Sequence, residues 1–259
     1  MDHKKLKEMQ NLQYEILKNI DQVCRKNNIK YFLAYGTLLG GVRHKASIPW
    51  DDDIDIAMTR DEYNKFKAVS SQLKEEYFLS DVCYSDIKYA SLSRVIMNSE
   101  IGGIHVDIFI LDYAKEKIKS VRGALGRFLQ IAKLDKNEKN ILYKHFKNHK
   151  GKLIIVHIAD ILRIVFGSEV IEKWNYNWLI SDKVTSNYII IEQPEKLLPI
   201  QWFAKSEAIQ YEDGMYPAPI GGIELLKTWY GNYMEIPPEG IKFLKEENEL
   251  IDVMNERTY

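Results

Sequence analysis

Along residues 4–28 the apolar positions Leu6, Met9, Ile16, Ile20, Val23 and Cys24 keep mostly to three- and four-residue spacing, and Asn27-Asn28 ends the run. That period predicts an amphipathic helix. Tyr31 to Ala34 reads as a short strand entering Gly36, after which Thr37 caps a short helix through Lys45 and Pro49 makes the next stretch extended. Residues 53–58 alternate acid with branched apolar residue, the period of a strand with one buried face. Thr59 or Asp61 then caps a helix to about Glu75. Further strands are predicted at 77–84, 89–97 and 104–110, with a turn at Gly102-Gly103. From residue 115 the pattern becomes helical and basic, 184–192 is an apolar strand or loop, and the last third is rich in Tyr, Trp and Pro.

The alternation in Asp53-Ile54-Asp55-Ile56 sends both carboxylates off one face, about 6.6 Å apart along the strand. At an effective dielectric of about 20 such a pair repels by roughly 2 to 3 kcal/mol, which calls for a cation. A hard divalent ion, Mg2+ or Mn2+, takes oxygen ligands and is commonly shared with substrate phosphates. Asp107, between Val106 and Ile108, also projects from a predicted strand, and three carboxylates converge if the two strands are neighbours. Gly36 offers close backbone approach to a phosphate, and Thr37 opens a helix whose free N–H groups favour an anion. A glycine turn, an Asp-x-Asp strand and a third strand carboxylate are together the parts of a nucleotidyltransferase fold and of metal-assisted phosphoryl transfer.

With 46% hydrophobic residues among 259, the chain has ample material for a packed core. The expected class is α+β: a nucleotidyltransferase-like mixed sheet core with flanking helices and a mainly helical C-terminal lobe. A division near residue 114 separates a catalytic lobe, 1–114, from an aromatic-rich substrate-binding lobe, 115–259, the two forming one compact unit. The net charge of −1 points to no nucleic-acid partner. It conceals a basic stretch, since residues 115–152 hold 12 Lys or Arg and 3 acids. That stretch reads either as a solvated helical face or as one drawn to a polyanionic acceptor or anionic membrane; residues 153–166 read either as an interfacial amphipathic helix or as a core helix. Cys24 and Cys83 have no metal or redox spacing and read as small apolar residues. No signal-peptide apolar core follows Met-Asp-His-Lys-Lys, and the apolar stretch 153–166 falls short of the ~20 residues a span needs, so a cytoplasmic, optionally membrane-associated protein is expected.

The run from Tyr35 to Asp55 closely resembles the LicD family, whose pattern is Tyr-Gly-Thr-Leu-Leu-Gly-x-Val-Arg-His-x-x-x-Ile-Pro-Trp-Asp-Asp-Asp-Ile-Asp; every named letter is met. His105-Val106-Asp107-Ile108-Phe109 resembles the family's second acidic strand, and Tyr230-Gly231-Asn232-Tyr233-Met234 with Pro237-Pro238 its C-terminal signature. Ala46 and Asn232 depart from frequent Gly and Asp. The resemblance implies transfer of a phospho-alcohol from a CDP-activated donor, CDP-choline favoured, to a sugar hydroxyl of a teichoic acid or lipopolysaccharide type precursor, lipid-linked in some cases, at the inner membrane face. By resemblance Asp53, Asp55 and Asp107 are the metal-binding and catalytic carboxylates, and Asp107 also serves as a general base. Arg43, His44 and Lys45 follow the glycine turn closely enough to reach a diphosphate, and Arg94 is a second phosphate candidate. Asp51 and Asp52 read equally as residues orienting the metal site or as turn acids, His105 as a satisfied structural histidine, and Trp50 as a base-stacking or loop-packing ring. Any trimethylammonium cage would be drawn from Trp174, Tyr176, Trp178, Trp202, Tyr211, Tyr216, Trp229, Tyr230 and Tyr233, with no spacing to choose among them. The alternatives are another CDP-alcohol such as CDP-glycerol or CDP-ribitol, nucleotidyl transfer to a small molecule, or an inactive glycan-binding relative.

Overall fold

The computed structural model describes residues 3–82, 92–97, 103–115, 143–144, 147, 149–181, 183–191 and 197–245. The class is α+β. Contacts divide the chain into two compact units, one of residues 1–81, 92–110 and 201–259, the other of 82–91 and 111–200.

The first unit begins with helix α1, His3–Lys26, which buries Leu6, Tyr14, Ile16, Leu17, Ile20, Val23 and Cys24. The same face buries Gln10, Gln13 and Asn19, and each makes a hydrogen bond to a distant segment. Strand β1, Phe32–Leu33, pairs antiparallel with β2, Asp55–Thr59, in the register Phe32↔Ala57 and Leu33↔Ile56. Between them lies α2, Tyr35–Arg43. Thr59 caps helix α3, Arg60–Ala68, by accepting from the Glu62 amide, one of the two caps anticipated. Strands β3, Tyr77–Val82, β4, Leu92–Met97, and β5, His105–Ala114, complete the sheet order β1-β2-β5-β4-β3. β5 carries apolar residues on both faces and is buried along most of its length, as a central strand must be. The register Arg94↔Asp107 across β4 and β5, with the Asp107 amide bonded to the Ile54 carbonyl at 2.9 Å, puts residue 107 directly beside the Asp53–Asp55 segment.

In the second unit, α4, Lys150–Phe166, and α5, Ser168–Leu179, pack on each other. They are followed by β6, Ile180–Ser181, β7, Tyr188–Ile191, and β8, Leu197–Pro199. Residues 111–114 of β5 pair antiparallel with β6 and β7, and β8 adds to β7, enclosing Ala114, Leu179 and Ile190.

Two further elements return to the first unit: the hairpin of β9, Ser206–Tyr211, and β10, Gly214–Pro219, and helix α6, Gly222–Tyr230. This hairpin was not anticipated, because prolines within β10 argue against a strand; as the free edge of a two-stranded ribbon it tolerates them. β9 packs on α2 and β10 on β1, and Tyr14 donates to Asp213 while Tyr216 donates to Tyr14 at 3.1 Å. The unit boundaries therefore differ from the expected division at 114, since the last part of the chain closes back over α2. Residues 89–91 and 83–84 of the anticipated strands, Gly102, Cys83 and most of the basic stretch lie outside the described residues. Cys24 is buried, and burial pushes its thiol far above the ordinary range, which keeps it inert.

Candidate active site

The site is assembled around α2. Ala34 is its N-cap, with extended backbone and no capping side chain, so the helix begins at Tyr35, two residues before the Thr37 cap read from the sequence. Thr37 instead sits within the helix, buried, and its hydroxyl accepts from the Asp55 amide at 2.8 Å. Its hydroxyl therefore holds the second aspartate's backbone. Tyr35 takes a left-handed φ of 40°, a strained conformation for a residue with a Cβ. Packing supplies the compensation: its ring stacks on Trp229 at 4.3 Å and meets Phe109 edge-on at 4.7 Å.

Gly36 is required by a neighbour other than the one anticipated. A Cβ there would stand 2.3 Å from Asp51 Oδ2, so the bare helix turn is a seat for a carboxylate of the protein itself. The acid loop is pinned from α1, where Gln10 Nε2 donates to the carbonyls of Ile48 (3.0 Å) and Asp51 (2.8 Å) and Gln13 Nε2 to that of Asp52 (2.8 Å). These bonds fix the backbone from which Asp51, Asp52 and Asp53 project.

A cavity of about 480 Å³ opens over this loop. Its lining includes Gly36, Asp51, Asp53 and Asp55, with Arg43 and Trp50, and Tyr230, Tyr233, Glu235 and Glu239 from the end of the chain. Arg43 donates through Nε to His44 Nε2 (2.9 Å) and through Nη1 to the carbonyls of Tyr233 (2.9 Å) and Glu235 (3.2 Å), leaving its Nη2 hydrogens outside these bonds. Its guanidinium lies 5.7 Å from the Trp50 ring centre. His44 backs Arg43 and Trp50 without lining the cavity, and burial lowers its basicity, as does the adjacent guanidinium. Lys45 is exposed with a left-handed φ of 61° and contributes its carbonyl to the Glu212 amide; its side chain is not among those lining the cavity.

Asp107 is held as a fork. Arg94 Nε and Nη2 reach its two oxygens at 2.6 and 3.3 Å, and His105 Nε2 lies 3.5 Å from Oδ1 while its Nδ1 faces the Gly103 carbonyl. Arg94 is thus spent on a carboxylate here, and His105 belongs to the same cluster. The group whose carboxylate oxygens lie within 4.8 Å of one another, among the described residues, is Asp51, Asp52 and Asp53. Asp53 joins this group to the strand pair, since both Asp107 and His105 act on it electrostatically.

Crowding shows in the acidities. Burial first, then Asp53 and Asp52, push the Asp51 carboxyl up to about 7, and burial with Asp52 and Asp107 raises Asp53. Tyr230, which lines the same cavity, is driven well above the ordinary tyrosine range, first by burial and then by the charges of Asp55, Asp51 and Asp53. A carboxyl raised in the folded state contributes stability that is complete below its unfolded value near 4 and lost as pH rises through about 7. In divalent-free buffer, Asp51→Asn is therefore expected to gain on the parent protein between about pH 4 and about pH 8, by on the order of 1 to 2 kcal/mol once partial exposure is allowed for. Urea unfolding of both proteins at the two pH values checks this, and a difference independent of pH would refute it.

Several of these participants were not singled out from the sequence. In the sequence Asp51 fits two roles equally, Tyr230 is one of nine aromatic candidates, and Gln10, Gln13, Glu235 and Glu239 carry no local signal. Of the aromatic candidates, Tyr230 and Tyr233 line the cavity; Tyr211 and Tyr216 are buried, Trp229 backs Tyr35, Trp174 and Trp178 are exposed on α5, and the Tyr176 side chain lies outside the described residues.

The family profile described as LicD/FKTN/FKRP, nucleotidyltransferase domain, matches residues 28–154. Over 252 residues the chain is 26% identical to the lipopolysaccharide cholinephosphotransferase LicD of Haemophilus influenzae, covering 90% of this chain and 93% of that one. An uncharacterized protein of Rickettsia typhi is 42% identical over 62 residues, 24% of this chain and 20% of its own length, and one of Rickettsia prowazekii is 35% identical over 89 residues, 34% of each. The matched segment contains Gly36, Arg43, the acid loop, Arg94 and Asp107, and together with the near full-length alignment it makes this chain similar to the LicD family.

Proposed function

We propose that the protein is a phosphotransferase that moves a phospho-alcohol, phosphocholine from CDP-choline first among them, onto a sugar hydroxyl of a lipopolysaccharide-type or teichoic acid precursor and releases CMP. The observation that carries this reading is the shared cavity, whose lining combines carboxylates, a guanidinium and aromatic rings. A CDP-alcohol has a partner for each: a diphosphate, an alcohol head group and a cytosine.

The carboxylates fit a divalent cation, Mg2+ or Mn2+. Asp51 and Asp53 share a side-chain hydrogen bond and are both made weaker acids than an ordinary aspartate, first by burial and then by neighbouring carboxylates, the behaviour of a donor set with more negative charge than it can hold alone. Asp53, Asp55 and Asp107 are the residues to which the family pattern assigns such an ion, and Asp51 stands beside Asp53. When bound, the ion would neutralise the diphosphate and stabilise charge on the transferring group. The remaining work is done by this chain. Arg43 offers its Nη2 hydrogens to the diphosphate, and its two bonds to the 233–235 carbonyls keep that segment in place. The acceptor hydroxyl attacks the distal phosphorus, the bond to the CMP oxygen breaks, and the hydroxyl proton passes to Asp107, whose carboxylate Arg94 and His105 orient. Trp50, Tyr230 and Tyr233, with Glu235 and Glu239, provide faces and charges suited to a trimethylammonium group, which can donate no hydrogen bond.

Incubation with CDP-choline labelled in the choline moiety and a lipopolysaccharide or teichoic acid acceptor tests the reading. Label transferred to the glycan with stoichiometric CMP supports it. Release of free phosphocholine with the nucleotide joined to the acceptor would replace it with nucleotidyl transfer, and turnover with CDP-glycerol or CDP-ribitol alone would reassign the donor.

A further inference from the structure

Helix α4 presents its apolar side to solvent. Its buried residues are Val156 and Ala159, 1% and 0% exposed, and at 100° per residue they share one narrow face with Asp160 and Arg163. Tyr143 donates to Asp160 Oδ2 at 2.7 Å, fixing the helix by that side. Ile154, Ile155, Ile158, Ile161, Ile164 and Val165 fan around the opposite side, all exposed, Ile164 at 83%. The surface continues onto α5, where Val170, Trp174 and Trp178 recur at four-residue spacing and are exposed, and the Phe166 and Trp174 rings meet at 4.9 Å across the junction. A soluble helix normally has the reverse arrangement, and an apolar patch of this extent marks an interaction surface.

Charge identifies the partner. Lys147, Lys150 and Lys152 are exposed at the start of α4 and Lys173 is exposed on α5. The one acid of α4, Asp160, is on the packed face. The sequence leading into α4 adds the remainder of the 12 cations of residues 115–152. Apolar residues flanked by lysines, with tryptophans at the margin, are the composition that settles into the boundary between head groups and acyl chains of an anionic bilayer. At 17 residues α4 lies in that plane, and no helix among the described residues is long and apolar enough to cross a membrane.

We propose that the outward faces of α4 and α5 form a docking surface for anionic phospholipid membranes. This proposal rests on neither the donor nor the metal assigned above. The full-length protein is expected to float with phosphatidylcholine vesicles containing phosphatidylglycerol, to bind pure phosphatidylcholine vesicles at least about tenfold more weakly, and to release with salt. Ile158→Glu with Ile161→Glu, and separately Lys150→Glu with Lys152→Glu, should each weaken binding at least about tenfold while preserving circular dichroism and turnover of a soluble acceptor. Bromine-labelled acyl chains should quench the fluorescence of the parent protein and lose that effect in Trp174→Phe with Trp178→Phe, a readout that needs no charge reversal. Absence of vesicle binding, or binding unchanged by the isoleucine substitutions, overturns the proposal. So does a solution dimer dispersed by those substitutions in a protein that ignores vesicles, because the face would then belong to a second copy of the chain.

Discussion

Asp53→Asn and Asp55→Asn, made separately, are each expected to lower turnover by roughly a thousandfold, about 4 kcal/mol of transition-state stabilisation, without unfolding the protein. Both residues line the cavity, and each substitution keeps the side-chain volume while removing one negative charge. For Asp53 the charge removed is one that its surroundings already disfavour, so thermal stability in divalent-free buffer should hold or rise. Asp107→Asn should behave differently. It leaves the Arg94 guanidinium without its charged partner, so both stability and turnover should fall. Steady-state rates and thermal unfolding of the three variants separate these outcomes. Undiminished turnover in either Asp53→Asn or Asp55→Asn removes the carboxylate assignment.

Gly36→Ala is expected to cost roughly a hundredfold in turnover at little cost in stability, and Gly40→Ala to do the reverse, losing about 1 to 3 kcal/mol of stability. The difference lies in what each new methyl group meets. At position 36 it lies 2.3 Å from the end of the Asp51 side chain, which can swing away, but only by leaving its place beside Asp53. At position 40 it lies 2.5 Å from the Ala46 carbonyl, and backbone cannot swing. The loop 46–48 would have to lift from α2, with Tyr211 behind it. Comparing urea midpoints with initial rates decides the matter. Equal losses of rate in two proteins of equal stability would mean that Asp51 has no seat to lose.

The elements of the catalytic half were legible because their apolar periods are long and their neighbours agree: the α1 face, the strand ending in Thr59 with its cap, and the central strand around Asp107. The same local reading placed the cap of α2 three residues late. Thr37 has the composition of a cap, yet the Asp55 amide, eighteen positions away, takes its hydroxyl. The hairpin Ser206–Pro219 was hidden because its prolines are bad strand residues except on an edge, and which edge is free is decided by strands elsewhere in the chain. Likewise the period of 153–166 is the same for a core helix and an interfacial one. Only the identity of the face that packs tells them apart, and the buried residues of that helix are Val156 and Ala159.

What the sequence determined by itself was the chemistry on offer: a run of carboxylates after a glycine helix turn, a third carboxylate on a central strand, and cations nearby, all specified by local spacing. What the tertiary structure alone decided was the pairing of these groups. Asp51 took the glycine seat, Arg94 went to Asp107, Arg43 tied down the 233–235 segment, and Tyr230 came to line the same cavity as the acids from the far end of the chain. The physical reason is that a charged side chain's partner is set by distance through space and by the dielectric around it. Neither quantity is written in the spacing of residues along a strand or helix.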